Sequence, residues 1–483
     1  MNDRNQNPIP SRSSSVLDTD RIAWLLVKLA TPAFLGMFVQ TMYNVISTIF
    51  IGRYVGTEGI AGLSIVFPLQ MTAMGIGMMV GVGGLSVISR SIGAGDNARA
   101  EHALGNCFTA SVALSFLVML VILPFTTFWL RLIGASDEVL PYAQPYLIII
   151  ISGTVFNTLA MALLSLVRAE GNARVGMIAM ILGALLSIFL GVVFIIWLKM
   201  GVVGAGLSTV ISQITAMIYL LSYYLTGSSY LKIRTKNFAP DIKILKSMFA
   251  IGSASFVQTV ASSISAMILI NAVIRYGGDI ALSAFGIIQR IMMFANMPAM
   301  VIGQGLQPIL GFNYGARRYR LGLKGIYLAY GASTVLCIVG FILVYIFPAP
   351  MVAIFRDDPA LIEMGVYGAR LSFLALPLMG LVMVSQMIFQ AIGKAVESFI
   401  AAFVRPVVFL IPAVLIMSHF WKLDGVFLSL PAADIFTFIL ILVLLAPIVN
   451  EFRKAAAEES KDKPIPVTPD SRPDKAGSKR VAR

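Results

Sequence analysis

The chain has 483 residues, of which 58% are hydrophobic and 12% charged, and its mean hydropathy is +0.87; a soluble globular domain carries about 25% charged residues, so an aqueous fold is excluded. The formal charge is +13, but Lys and Arg are spread over short loops and tails, which argues against a nucleic-acid partner and makes them reporters of topology in a lipid bilayer. Cys107 and Cys337 lie in separate apolar segments and read as small buried hydrophobes, not as a disulfide or metal ligands.

Met1 to Asp20 is polar and rich in Ser and Asn, with no apolar core before a small-residue cleavage site. Residues 1–21 are therefore expected to be a disordered cytoplasmic N-terminus, and the first span to act as its own insertion signal. Apolar blocks of about 20 to 30 residues follow, the length a helix needs to cross roughly 30 Å of hydrocarbon. They predict spans at Leu26–Ile51, Ile60–Ile88, Ala103–Phe128, Pro141–Leu166, Val175–Leu198 and Val202–Leu225. After a linker they resume at Leu245–Ile274, Ile280–Ile309, Leu323–Phe347, Leu361–Phe389, Phe399–Met417 and Val426–Val449. The expected organisation is an N-lobe over 22–226, a cytoplasmic linker over 227–242 and a C-lobe over 243–449. Residues 450–483, rich in Ala, Glu, Lys and Pro, are expected to form a disordered cytoplasmic tail, because they bury too little apolar surface to offset chain entropy.

If alternate loops are numbered as inside from the N-terminus, fourteen Lys and Arg fall inside, among them Arg90, Arg168, Arg234 and Arg317, and six outside, among them Arg53, Arg131 and Arg356. Both termini are then cytoplasmic. The string FVQT occurs at Phe38–Thr41 and again at Phe256–Thr259; Gly95 pairs with Gly315, Gly171 with Gly393 and Gly204 with Gly425, each at an offset near 220. An offset this steady signals an internal repeat, and six spans per repeat place both halves in the same orientation about an axis along the membrane normal. The fold class is all-α: twelve transmembrane helices in two six-helix lobes.

No phosphate loop of the G-x-x-x-x-G-K-[ST] type and no H-E-x-x-H helix is present, so an enzyme has little support and no cofactor is expected. The order and spacing of Tyr43-Asn44, Ile49 to Arg53, Ile88-Ser89-Arg90, Gly93 to Asp96, Arg168-Ala169-Glu170-Gly171, Gly201 to Gln213, Gly286 to Ile291 and Gln390 to Gly393 resemble the multidrug and toxic compound extrusion (MATE) exporters. The resemblance covers about Leu29 to Asn450, with second-lobe features most similar to the MepA-like and DinF-like branches. It implies export of bulky, amphipathic, often cationic compounds against an inward flow of protons or sodium, in the cell membrane, with a monomer as the expected state. The alternatives are a transporter of the same fold with one dedicated metabolite or lipid-linked substrate, and a channel or receptor. Many relatives carry an Asp where this chain has Ser47, and an Asn and Asp where it has Ser187 and Gly191, so the resemblance implies that the usual first-lobe ion site is missing.

Asp434 is then the one carboxylate the predicted spans place well inside hydrocarbon, which makes it a functional candidate. It can be a coupling-ion site, the structural partner of a buried Arg, or a substrate contact. Arg405, followed by Pro406, and Arg290 are its candidate partners. A fixed cation at Arg290 in the cleft would deter cationic drugs unless Asp434 neutralised it. Gln40 and Asn44 share a face of the first span, and Gln258 is the repeat counterpart of Gln40; interhelical hydrogen bonding and cleft lining both suit them. Phe67, Met71, Met74 and Met78 form one stripe of the second span, suited to packing or to an adaptable binding wall. Asn157 on the fourth span is a weaker cleft candidate, and the glycines from Gly75 to Gly84 point to close helix approach.

Overall fold

The computed structural model describes residues 14–55, 57–355 and 358–461, and their side chains except 14, 15, 44, 45, 48, 49, 51–53, 57, 58, 60, 460 and 461. The expectations for Asn44 and Arg53 as side chains, for Arg356, and for residues 1–13 and 462–483 lie outside the described residues. Among the described residues there is no strand.

Among the described residues twelve spanning helices follow one another. They are α1 (Ile22–Tyr54), α2 (Thr57–Gly93), α3 (Asn97–Ile133), α4 (Leu140–Ser152 and Thr154–Ala169, bent by 50°), α5 (Ala173–Trp197) and α6 (Gly201–Leu225). After the linker come α7 (242–277), α8 (279–315), α9 (Tyr319–Ile346), α10 (Pro359–Ser372 and Leu376–Ile392, bent by 56°), α11 (395–421) and α12 (423–461). Helical geometry is broken between α7 and α8 at Gly278 (φ 64°) and between α11 and α12 at Lys422 (φ 50°). Short polar side chains satisfy the free amides at several entries: Asp96 accepts from Arg99 N at 3.0 Å, and Asp241 from Lys243 N at 2.8 Å.

Positive-φ positions recur from one half to the other. Gly171 (83°) matches Gly393 (81°), and Gly95 (75°) matches Arg317 (57°), both at an offset of 222. The sequence pairing of Gly95 with Gly315 is therefore corrected: Gly315 answers to Gly93, and an Arg holds the left-handed position that Gly95 occupies in the first half. Two nearby glycines made the wrong pair easy to draw.

The lobes meet at the end where Leu17 and Phe452 are buried. One buried core there takes Leu25, Leu85, Leu104 and Leu166 from the first lobe and Met248, Leu306, Ile388 and Phe452 from the second. At the opposite end each lobe has its own core, one built around Val66, Leu130 and Leu147, the other around Val273, Phe285 and Phe427. A shared core at one end and separate cores at the other make a wedge, with a cleft between the lobes.

The flanking segments correct two expectations. Ser14–Leu17 is a helical turn, Leu17 is buried and packs on Gly171, and Asp18 pairs with Arg318 of the other lobe. Helix α12 continues to Lys461, so 450–461 is ordered: Phe452 is buried between Tyr314 and Tyr319, and Arg453 donates to the Tyr327 hydroxyl at 2.7 Å. In both places average composition hid a single buried anchor.

Candidate functional site

Glycines set the closed end of the wedge. A Cβ on Gly93 of α2 would lie 2.8 Å from the carbonyl carbon of Phe312 on α8, and one on Gly315 of α8 would lie 2.9 Å from that of Arg90 on α2. The two contacts exchange under an offset of 222, so they are one contact repeated by the pseudo-two-fold. Further in, Gly83 meets Met248 of α7 and Gly252 meets Met79 of α2, both at backbone, while Gly305 of α8 lies against Ala30 of α1. Without side chains in the way, four helices close backbone to backbone. Polar groups cross the same seam: Arg168 donates to Gln304, and Ser86 to the Gln390 carbonyl.

Of the residues predicted for a cleft, Met71, Met74 and Gln40 lie along helix faces that touch the other lobe further in. On α2, Gly75 packs on Phe256 of α7, and Met78 receives the Thr259 hydroxyl at 3.8 Å. Met74 and Met71, one and two turns further out, are half-buried. On α1, Ala33 and Met37 pack against Met297 and Val301 of α8; Gln40, half-buried, continues that stripe. Asn157 is half-buried on α4, three turns out from Arg168. The sequence-predicted glycines of α2 each meet a neighbour closely: Gly77 meets Met161, Gly81 meets Ser165, and Gly84 meets Leu166.

Gln258 is held between helices. It donates to Gln386 of α10 at 3.2 Å and accepts from it at 2.7 Å, a reciprocal amide pair. One turn along α10, Gln390 accepts from Gln307 at 3.1 Å and donates to Ser255 at 3.4 Å. This ladder of amides ties α7, α8 and α10 together under the cleft and leaves Gln258 half-buried at its upper end.

Asp434 on α12 is buried, and its Oδ1 accepts from Nε of Arg405 at 2.7 Å; the Arg405 side chain is 28% exposed against 5% for Asp434. Arg405 belongs to a π-helical turn, Val404–Leu410 of α11. Pro406, which cannot donate an amide hydrogen, interrupts the α-helical ladder there. The Pro406 carbonyl accepts the Ser265 hydroxyl of α7 at 2.8 Å, which fixes the irregular turn. Arg290 does not share in this pair. It is exposed on α8, with its guanidinium lying back over Gly286.

One buried carboxylate escaped sequence reasoning. Glu170, just past the end of α4, accepts from the Tyr223 hydroxyl at 2.9 Å, the Ser229 hydroxyl at 2.8 Å and Tyr230 N at 3.2 Å. Burial pushes its carboxyl up to about 7 against the pull of those hydrogen bonds. Two of its donors belong to the interlobe linker, so Glu170 moors the linker to the N-lobe. Its place in the Arg168–Gly171 motif was the available signal.

Two six-helix lobes that close at one end around a cleft define a two-lobed membrane protein of the transporter type. The family model MatE matches residues 32–193 and 254–415, once per lobe and over more than half of the chain. The Multidrug export protein MepA of Staphylococcus aureus (strain MRSA252) is 27% identical over 411 residues, covering 85% of this chain and 90% of its own length. The Staphylococcus saprophyticus protein of the same name is 25% identical with the same coverage. Among solved structures, a crystal structure of MATE in complex with MaL6 aligns with a TM-score of 0.87 at 25% identity, covering 92% of this chain and 100% of that one. The chain belongs to the MatE family.

Proposed function

We propose that this chain is a secondary active exporter that extrudes amphipathic compounds, drugs among them, from the cytoplasm by alternating access, in exchange for protons or sodium. It works as a monomer in the cell membrane with both termini cytoplasmic. The observation that carries this is the wedge: backbone contacts related by a two-fold seal the end where Leu17 and Phe452 are buried, and the opposite end is split. With the Lys and Arg distribution setting orientation, this is the outward-open state, and rocking the lobes about their seam opens the cytoplasmic end instead. The drug cargo is supported by the relatives named multidrug export proteins.

The coupling site is the Arg405–Asp434 pair. A proton or sodium ion taken by Asp434 competes with the guanidinium, and the π-helical turn that carries Arg405 lets it shift by re-registering toward an α-turn. Ion binding would thereby be linked to the packing of α11 and α12 against α7. The test is export in vesicles under a pH gradient or a sodium gradient alone, comparing Asp434→Asn with the unaltered protein. Export that survives the substitution under both gradients removes Asp434 from coupling.

A further inference from the structure

Arg290 is the cation that the Arg405–Asp434 pair leaves out. On α8, Gly311, Gln304 and Met297 stand seven residues apart, and each faces the N-lobe: Gly311 abuts Ser89, Gln304 accepts from Arg168, and Met297 packs with Ala33. Arg290 is the next residue in that series: a regular helix face drifts only about 20° per seven residues, and past the interruption at Pro298 the face is still held toward the N-lobe by Phe294, one turn in from Arg290, whose ring centroid lies 6.3 Å from that of Phe38 on α1. The three inner positions touch the opposite lobe and the fourth is exposed, as the wedge requires of a residue just beyond the last interlobe contact. Gly286, one turn further out, leaves room for the guanidinium, whose Nη1 lies 3.9 Å from where a Cβ would be.

Its charge is not cancelled. Asp434, the mid-depth carboxylate available to it, is occupied by Arg405. Among the described residues, Arg290 makes no ion pair or hydrogen bond. Asp279, on α8 near the mouth, is eleven residues away, about 16 Å along a helix. The repeat gives no second cation, since the residue 222 positions earlier is Pro68. An open cleft hydrates the guanidinium, but closing the lobes over it would strip that water and leave a cation at membrane depth, which is costly unless an anion accompanies it.

We infer that Arg290 is the specificity residue of the cleft and that it selects amphipathic substrates bearing an anionic group, which forms a charge-assisted hydrogen bond with the guanidinium and allows the lobes to close. This rests on the export reading and narrows it, since an unneutralised arginine repels the cationic drugs typical of the family.

The test is binding of two xanthene dyes of similar size, anionic fluorescein and cationic rhodamine 6G, by fluorescence anisotropy to the full chain in phosphatidylcholine nanodiscs. The expected result is tighter binding of fluorescein, weakened at least about tenfold in Arg290→Gln, retained in Arg290→Lys, and reversed in favour of rhodamine 6G in Arg290→Glu. Equal fluorescein binding by Arg290→Gln would place the side chain in lipid and overturn the inference, and so would a preference of the unaltered protein for rhodamine 6G. Binding is read without a gradient, so a failure of ion-driven export would refute the transport mechanism while leaving this result standing.

Discussion

Gly93→Ala should push the lobes apart at their closed end. The added Cβ would lie 2.8 Å from the carbonyl carbon and 3.0 Å from the Cα of Phe312, whereas carbon atoms rest at about 3.5–4.0 Å. Both obstructing atoms are backbone, so no side chain can swing away, and α2 and α8 must separate by about 1 Å. Overpacking of this kind costs about 1–3 kcal/mol, which lowers the closed-end population by a factor of roughly 5–150. Gly331→Ala is the control, because a Cβ there meets nothing within 4 Å. Spin labels at Arg99→Cys and Arg320→Cys, exposed on opposite lobes, report the separation once Cys107 and Cys337 are replaced by Ala. A longer label distance in Gly93→Ala but not in Gly331→Ala is expected. An unchanged distance in both would refute the reasoning that this seam is the moving contact.

Asp434→Asn should lower stability by about 2 kcal/mol, less than the roughly 3–5 kcal/mol of a fully buried pair because Arg405 is partly exposed. Thermal unfolding in detergent should show that loss, with Arg405→Met/Asp434→Leu recovering most of it while lacking coupled export. Glu170 holds its proton more tightly when folded, at about 7 against an ordinary 4.5. The folded chain therefore binds more protons between those values, and stability should fall as pH rises from about 4.5 through about 7, by on the order of 3 kcal/mol. Melting curves at pH 5 and pH 8 should differ for the unaltered chain and converge in Glu170→Gln. Gln386→Leu strands the amide of Gln258 and should cost about 1–3 kcal/mol; Gln258→Leu/Gln386→Leu should be more stable than the single variant, and the opposite order in melting temperature would contradict the reciprocal pair.

The twelve spans and the repeat were legible because they rest on runs of apolar residues and on glycines, features that survive without knowledge of tertiary contacts. The exact repeat register was not, since Gly93 and Gly95 are both plausible partners of Gly315 until backbone angles and close contacts separate them. The Arg405–Asp434 pair could be proposed from the scarcity of intramembrane charge, with Arg405 the preferred partner and Arg290 a second candidate, because sequence depth does not say which helix faces which. Glu170 was overlooked because it lies at a span's end, where a charged residue needs no explanation; only the fold shows the linker closing over it. The order of 450–461 likewise depends on Phe452, one anchor in a segment whose composition is that of a tail.

Uphill, ion-driven movement across a membrane through a cleft that opens to one side at a time is what separates an exporter from a pore. The most direct measurement is flux of a fluorescent amphipathic anion and a matched cation through purified protein in sealed liposomes, with a pH gradient or a sodium gradient imposed alone. In an ion-coupled exporter one dye moves against its own concentration gradient and stops when an ionophore collapses the driving gradient. Movement that halts at equal dye concentrations, whatever ion gradient is imposed, would show a passive pore and contradict ion-coupled export.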